Sequence, residues 1–327
     1  MADATKAAAR RQLTVVAPVF NEQDVIATFY ERTRAVLASL QHRYATRILF
    51  VVDRCTDDTM TVLRGIAARD PDAQVLSLSS RFGHQMSLLA GIDHAADADA
   101  IIMMDSDLQH PPELIPELLS WFERGTDVVV TVRRETDQVG TLRRLLGNAF
   151  YGLLGYLASI PIQRNAADFR LISARVARTL RGIRERGVFL RGILSWVGFN
   201  QVTVEYTPAA RAAGHSKYSL SRMTTLATAG ILSFSTKPLR MGIFVGIGFA
   251  ILGFSYGVVT IVNYYTDPHT PRGYPTIVTL LLLFSGVQLV FMGVVGAYVG
   301  AIYDEVKRRP HYIVDEAINI EAGPPSN

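Results

Sequence analysis

Ala100-Ile101-Ile102-Met103-Met104, followed by Asp105-Ser106-Asp107-Leu108-Gln109-His110-Pro111-Pro112-Glu113, is the stretch that decides the fold. A short apolar run rich in Ile predicts a buried strand. Both carboxylates then stand where that strand leaves the core, at the end of an α/β sheet where ligands bind. Two acids one residue apart, with the amide oxygen of Gln109 nearby, make a hard oxygen corner suited to Mg²⁺ or Mn²⁺. Such an ion prefers diphosphate oxygens as its remaining ligands, so the corner predicts a metal-bound nucleotide. The same residues also read as a solvated turn entering a helix, with proline in the first turn and Glu113 near the positive end of the helix dipole.

Outward from this strand, β-branched runs alternate with amphipathic stretches. Leu13–Pro18, Arg47–Val52, Gln74–Leu78, Ala100–Met104 and Asp127–Val132 read as strands. Asp24–Leu40, Asp58–Ala68, Gln85–Ala95 and Pro112–Glu123 read as the helices between them. That order predicts an α/β class with a doubly wound, mostly parallel sheet and helices on both faces. Beyond Val132 the pattern predicts a helix over Thr141–Ser159, a strand over Asp168–Ile172, a helix over Ala174–Ile183 and a strand over Gln201–Tyr206. Ala209–Lys217 reads as a polar, basic loop.

The chain has 327 residues, is 49% hydrophobic and carries a formal net charge of +4. Its apolar excess is concentrated at the C-terminal end. Met241–Thr266 and Gly273–Tyr303 contain no charged residue, and each exceeds the roughly 20 residues that cross a bilayer. Lys237 and Arg240 precede the first run and Lys307, Arg308 and Arg309 follow the second, which predicts that both flanks are cytoplasmic. Tyr218–Lys237 reads as an interfacial helix, with a soluble helix as the other reading. The predicted organisation is a tail over 1–12, a catalytic domain over 13–217 and an interfacial region over 218–240. A transmembrane hairpin over 241–303 (about 241–266 and 275–303) and a cytoplasmic tail over 304–327 complete it. Leu13–Phe20 is too short for a signal peptide, and a single cysteine, Cys55, agrees with a reducing compartment. The basic balance suits anionic lipid and phosphates and does not by itself argue for nucleic acid. Gly242, Gly246, Gly293, Gly296 and Gly300 allow close helix packing within a chain or in a homo-oligomer.

Pro18-Val-Phe20-Asn21-Glu22, Val51-Val-Asp53-Arg54-Cys-Thr-Asp-Asp-Thr59, the Asp105–Glu113 string and Asp168-Phe-Arg170-Leu171 form a set. With Arg211-Ala-Ala-Gly-His-Ser216-Lys217-Tyr218 and the membrane hairpin, it resembles the family-two inverting glycosyltransferases that act on polyprenyl phosphates. The resemblance covers roughly Leu13 to Val314 and implies the GT-A fold of nucleotide-diphospho-sugar transferases, a nucleotide sugar donor and a polyprenyl phosphate acceptor. It implies Asp105, Asp107 and Gln109 as metal ligands, and Pro18, Phe20, Asn21, Glu22, Asp53, Asp105, Ser106 and Arg133 around the nucleotide. Arg144, Arg211, Ser216 and Lys217 fall at acceptor or phosphate positions. Asp107, Asp168 and Arg170 fall at catalytic ones, Asp168 as an orienting group or a base. The family's usual Asp-Asp-Gly-Ser is here Val52-Asp53-Arg54-Cys55, with one carboxylate missing and Arg in place of Gly. His84, after Gly83, reads as a loop histidine or as a group reaching the sugar.

The implied reaction is metal-dependent, inverting transfer of one hexose to a carrier such as undecaprenyl phosphate at the cytoplasmic face of a bacterial inner membrane. UDP-glucose is the first donor, with GDP-mannose and an aminopentose donor as alternatives. A processive polysaccharide synthase would share the catalytic domain but calls for a Gln-x-x-Arg-Trp string, and Trp121 and Trp196 both follow Ser. A nucleotide-sensing membrane protein without chemistry is the third reading, motivated by the altered Asp53 string.

Overall fold

The computed structural model describes residues 10–134, 166–183, 185, 190–207, 237–266 and 273–320. The expected helix over 141–159, the basic loop over 209–217 with Arg211, Ser216 and Lys217, and the stretch over 218–236 lie outside the described residues, as does Arg144. Residues before Arg309, with the exception of a short stretch before Pro161 and of the segment from Tyr218 onward, form one compact unit together with the chain from Arg309. The second unit contains the apolar hairpin.

In the first unit the strands are β1 (Arg11–Val19), β2 (Tyr44–Val52), β3 (Ala73–Leu78), β4 (Ala100–Met103), β5 (Val128–Arg133), β6 (Ala166–Ser173), β7 (Gln201–Tyr206) and β8 (Val314–Ile318). They form one sheet in the order β7-β5-β6-β4-β1-β2-β3-β8. β1 pairs in parallel with both β2 and β4, and β2 with β3. The chain therefore winds outward from β1 to β3 and returns to β4 on the other side. That reversal opens a crevice beyond the carboxyl ends of β1 and β4, with Asp105 and Asp107 at its edge.

Two features depart from the sequence-based pattern. β6 runs antiparallel between β4 and β5 and is longer at both ends than Asp168–Ile172, so Asp168 lies within the strand rather than at its start. A period-2 apolar pattern reports burial but not which neighbour a strand will choose. Residues 304–327 were expected as a tail, yet Val314–Ile318 forms the antiparallel edge strand beside β3. The Ser79 N–H donates to Ile313 O at 2.9 Å, extending this attachment. Tyr312 is buried and donates to Asp93 Oδ2 at 2.9 Å. Asn319, in the left-handed region at φ 57°, donates to Ala67 O, Asp70 O and Ala73 O.

The helices are α1 (Ile26–Leu40), α2 (Thr59–Ala67), α3 (His84–His94), α4 (Ile115–Glu123), α5 (Ala174–Gly182) and α6 (Leu190–Trp196). Leu13, Val15, Ala17 and Val19 of β1 share a core with Ile26, Phe29 and Leu37 of α1, Leu63 of α2 and Ile115 and Leu118 of α4. The intervening Val16 faces α3, where a methyl group on Gly91 would overlap the Val16 side chain. Residue alternation along β1 thus assigns helices to opposite faces of the sheet. The Pro111-Pro112-Glu113 segment enters α4 through a 3₁₀ turn over Pro112–Leu114.

In the second unit α7 (Lys237–Thr266) and α8 (Tyr274–Val306) have 30 and 33 residues. At about 1.5 Å per residue, both outreach a hydrocarbon core of about 30 Å. Both are long and apolar enough to cross a membrane, and the window of each richest in apolar residues is unburied. Gly242 has a local packing reason, since a Cβ there would lie 2.8 Å from Phe291 Cδ1. Phe249 and Phe284 meet edge to face with centroids 5.4 Å apart.

Candidate active site

The crevice has a volume of about 350 Å³ and is lined by residues at or beyond the carboxyl ends of β1, β2, β3 and β4, among them Pro18, Phe20, Glu22, Asp53, His84 and Asp105. On its β1–β2 side several polar groups are already partnered. Asn21, at φ 54°, donates from Nδ2 to Thr56 Oγ1 at 3.0 Å and accepts from the Thr56 N–H at 2.8 Å. The Glu22 N–H donates to Thr59 Oγ1 at 2.9 Å. Buried Asp53 accepts the Phe82 N–H at 2.6 Å and the Gly83 N–H at 2.9 Å, so its carboxylate anchors the loop that enters α3. Arg54 sits at φ 44°, which gives a physical reason for glycine at this family position, and its guanidinium donates to Ser79 O. Burial pushes the Cys55 thiol up, and its sulfur accepts from the Asn21 N–H. The Arg81 guanidinium lies 4.0 Å above the Phe20 ring at the rim.

The β4 side is different. Asp105 Oδ1 is buried and has no hydrogen-bond partner, and burial raises the carboxyl above its ordinary value. Asp107 accepts the Gln109 N–H at 3.1 Å, and its second oxygen accepts from Gln109 Nε2. The Gln109 amide N–H groups therefore hold Asp107. Ser106 donates to Pro18 O at 3.0 Å and ties the β4 loop to the β1 loop. Glu22 faces this corner; burial first, then the charges of Asp107, Asp57 and Asp105, push its carboxyl up to about 7.

His110 is fully buried behind this corner. The Asp105 N–H donates to His110 Nδ1 at 3.1 Å, which puts the imidazole proton on Nε2, and burial pushes this ring down to about 4. The ring stacks on Phe169 at 5.2 Å and meets Tyr206 edge-on at 5.9 Å. Tyr206 accepts from Arg133 Nε at 3.1 Å, holding Arg133 at the end of β5.

Asp168 is buried and receives a two-pronged contact from Arg191, Nε to Oδ1 at 2.7 Å and Nη2 to Oδ2 at 2.8 Å. His84 Nε2 lies 3.2 Å from Asp168 Oδ2, and Arg170 Nη2 lies 3.8 Å from Oδ1. Burial alone would raise the Asp168 carboxyl, but the hydrogen bonds from Arg191 and His84 outweigh it and hold the group well below the usual carboxylate range. A carboxylate so stabilised has little affinity for a proton, which argues against the base role and for the orienting one. Arg170 is 3% exposed and donates to Ala167 O at 2.8 Å. Burial pushes it down to about 10, so it remains a cation beneath Asp168.

The structure brings together Pro18, Phe20, Glu22, Asp53, Asp105, Ser106 and Asp107, and adds His84, Arg81 and Arg191. His84 stands 3.5 Å from Asp105 Oδ1 as well as beside Asp168. Burial would lower its imidazole, but the hydrogen bond to Asp168 and the charge of Asp105 raise it. Gly83 at φ 93° before His84 was the available signal, because a glycine turn after a strand presents the next side chain at a crevice. Arg191 had no comparable signal.

A metal fits the donor set. A buried carboxylate oxygen with no donor is costly unless a cation reaches it, and Asp105 and Asp107 offer only hard oxygen. Among the described residues no three His, Cys, Asp or Glu side chains form a cage. An ion here would complete its shell with diphosphate and water.

Residues 14–181 match the glycosyl transferase family 2 model, and residues 237–302 match the model of the GtrB C-terminal hairpin. The SfII prophage-derived bactoprenol glucosyl transferase of Shigella flexneri is 39% identical over 306 residues, covering 94% of this chain and 98% of the relative. An uncharacterized glycosyltransferase of Bacillus subtilis (strain 168), YkcC, is 38% identical over 311 residues, 95% of each chain. Among solved structures, a mannosyltransferase from Pyrobaculum calidifontis in complex with GDP-Man and Mn²⁺ is 14% identical with a TM-score of 0.46, covering 90% of this chain and 88% of that one.

Proposed function

This chain belongs to glycosyltransferase family 2, and on that footing we propose that it transfers one hexose from a nucleotide sugar to a polyprenyl phosphate. The donor is UDP-glucose in the first instance, the acceptor a carrier such as undecaprenyl phosphate, and the reaction site the cytoplasmic face of a bacterial membrane. The observation that carries the chemistry is the buried Asp105 Oδ1, which accepts no hydrogen bond, beside Asp107 at the sheet's switch point. The bactoprenol transferases among the relatives support the acceptor class.

Asp105 and Asp107 would hold Mg²⁺ or Mn²⁺, with Gln109 fixing Asp107. The ion would neutralise charge on the departing nucleoside diphosphate. Arg133, steadied by Tyr206, adds a fixed cation at the same end of the sheet. The nucleophile is an acceptor phosphate oxygen, which forms a bond to the anomeric carbon as the bond to the diphosphate oxygen breaks. One displacement inverts that carbon. A phosphate monoester has a second pKa of about 6, so the acceptor is largely dianionic at neutral pH and needs no strong base. Asp168, an anion locked by Arg191 and Arg170, orients rather than accepts a proton. Catalysis by this chain rests on positioning and fixed charge.

The hairpin supports the membrane reading. The chain leaves the first unit before Lys237 and rejoins it as β8 after two spans, which suits both basic flanks lying on one face of the bilayer. The test is a donor screen with the full chain in detergent micelles, undecaprenyl phosphate and Mg²⁺ or Mn²⁺. A glycolipid with UDP-glucose that disappears on chelation is expected. A product only with GDP-mannose or an aminopentose donor would replace the sugar, and no product with any donor would overturn the reading.

A further inference from the structure

We propose that Arg191 is a positioning residue of the metal corner, acting through Asp168 and His84 on Asp105. The inference rests on the proposed function and assigns a role to α6, an element outside the motif strings. Four observations lead there. Arg191 grips Asp168 with two hydrogen bonds of 2.7 and 2.8 Å, a fork geometry that fixes the carboxylate plane. The oxygen that accepts from Arg191 Nη2, Asp168 Oδ2, also lies 3.2 Å from His84 Nε2, so the plane of Asp168 sets the direction of the imidazole. That nitrogen stands 3.5 Å from Asp105 Oδ1, the buried oxygen that lacks a hydrogen-bond partner. The first residues of α6 and α3 are joined a second time, because the Leu190 N–H donates to Gln85 Oε1 at 3.1 Å and Leu190 itself is buried.

The two joints make the start of α6 a brace against the start of α3. A fixed ring at His84 restricts the rotation of Asp105 about its side-chain bonds, so the oxygen is presented in one direction. Outer contacts of this kind tune how well a ligand carboxylate receives its ion. Without the Arg191 fork, Asp168 keeps Arg170 beneath it but loses the group that orients its outer oxygen, and His84 is free to turn.

The test uses the full chain in detergent micelles, with Mn²⁺ and UDP as probes. Mn²⁺ binding in the presence of UDP is read by the loss of the free-ion paramagnetic resonance signal. Arg191→Met and His84→Ala are each expected to weaken Mn²⁺ about tenfold, the lower end for outer-shell contacts. Arg191→Lys, which restores a charge without the fork, is expected to recover part of the loss. The double variant should bind no more weakly than either single one, because both act on one chain of contacts. Should Arg191→Met fail to fold, Arg191→Lys and His84→Ala still complete the cycle. Unchanged Mn²⁺ affinity in the folded variants, or losses that simply add, would overturn the inference while leaving the functional reading intact. A wild-type chain that binds neither Mn²⁺ nor UDP would overturn both.

Discussion

Asp53 follows β2 and Asp105 follows β4, on either side of β1; both line the crevice and both put carboxylate oxygen out of reach of water, yet they are opposites. Asp53 has two backbone N–H groups on its oxygens, whereas Asp105 Oδ1 has none. A satisfied buried carboxylate is part of how a loop is built. An unsatisfied one is a group whose partner arrives from outside, at a cost to the folded protein until it does. By this comparison the β2 end of the crevice is prebuilt and the β4 end is left open for an ion and the diphosphate.

The largest effect should come at the open end. Asp105→Asn is expected to lower glycosyl transfer at least about a thousandfold while the thermal midpoint stays level or rises, since a desolvated charge is removed. A drop in the midpoint with activity retained would break the comparison. Asp168→Asn should be the most damaging to stability, by about 3–5 kcal/mol, because Arg170 and Arg191 lose the anion between them. Chemical denaturation measures it. Asp53→Asn, at the prebuilt end, replaces one acceptor oxygen with a donor facing the Phe82 or Gly83 N–H. It should cost about 2 kcal/mol of stability and raise the donor KM more than it lowers kcat.

A pH series sharpens the contrast at Glu22. Its folded carboxyl is pushed up to about 7 from an ordinary value of 4.5, so between these values the native state holds a proton that the unfolded chain has released. Without metal or nucleotide, stability should fall as pH rises from about 4.5 through 7. In Glu22→Gln that part of the slope should vanish, as melting curves across the range would reveal. The smallest effect is expected for Arg54→Gly. It removes a left-handed strain of about 1 kcal/mol at φ 44° but also the contact to Ser79 O, leaving stability within about 1 kcal/mol of the parent.

Much of this was legible along the chain. The five strands read in the first 134 residues all form, although β1 and β2 start earlier than their apolar runs and α4 begins with a 3₁₀ turn. Both apolar runs become continuous helices. The acidic corner stands where an Ile-rich run ending in Asp105 put it, because leaving the core is a local event. His84 and Arg191 were not legible in the same way. Their importance comes from lying within 3.2 Å of one Asp168 oxygen, and the residues are far apart in sequence.

The sequence by itself determined the periodicities, and with them the strands, the helices, the uncharged spans and the pair of acids at the end of a strand. Those follow from burial patterns that repeat over a few residues. Only the tertiary structure decided that β6 turns antiparallel between β4 and β5, that the chain returns from the hairpin to pair with β3, and which carboxylates are already satisfied. Each of these is a choice among partners tens to hundreds of residues away. A side chain's type states what it can bond to, but not which group packing will bring within reach.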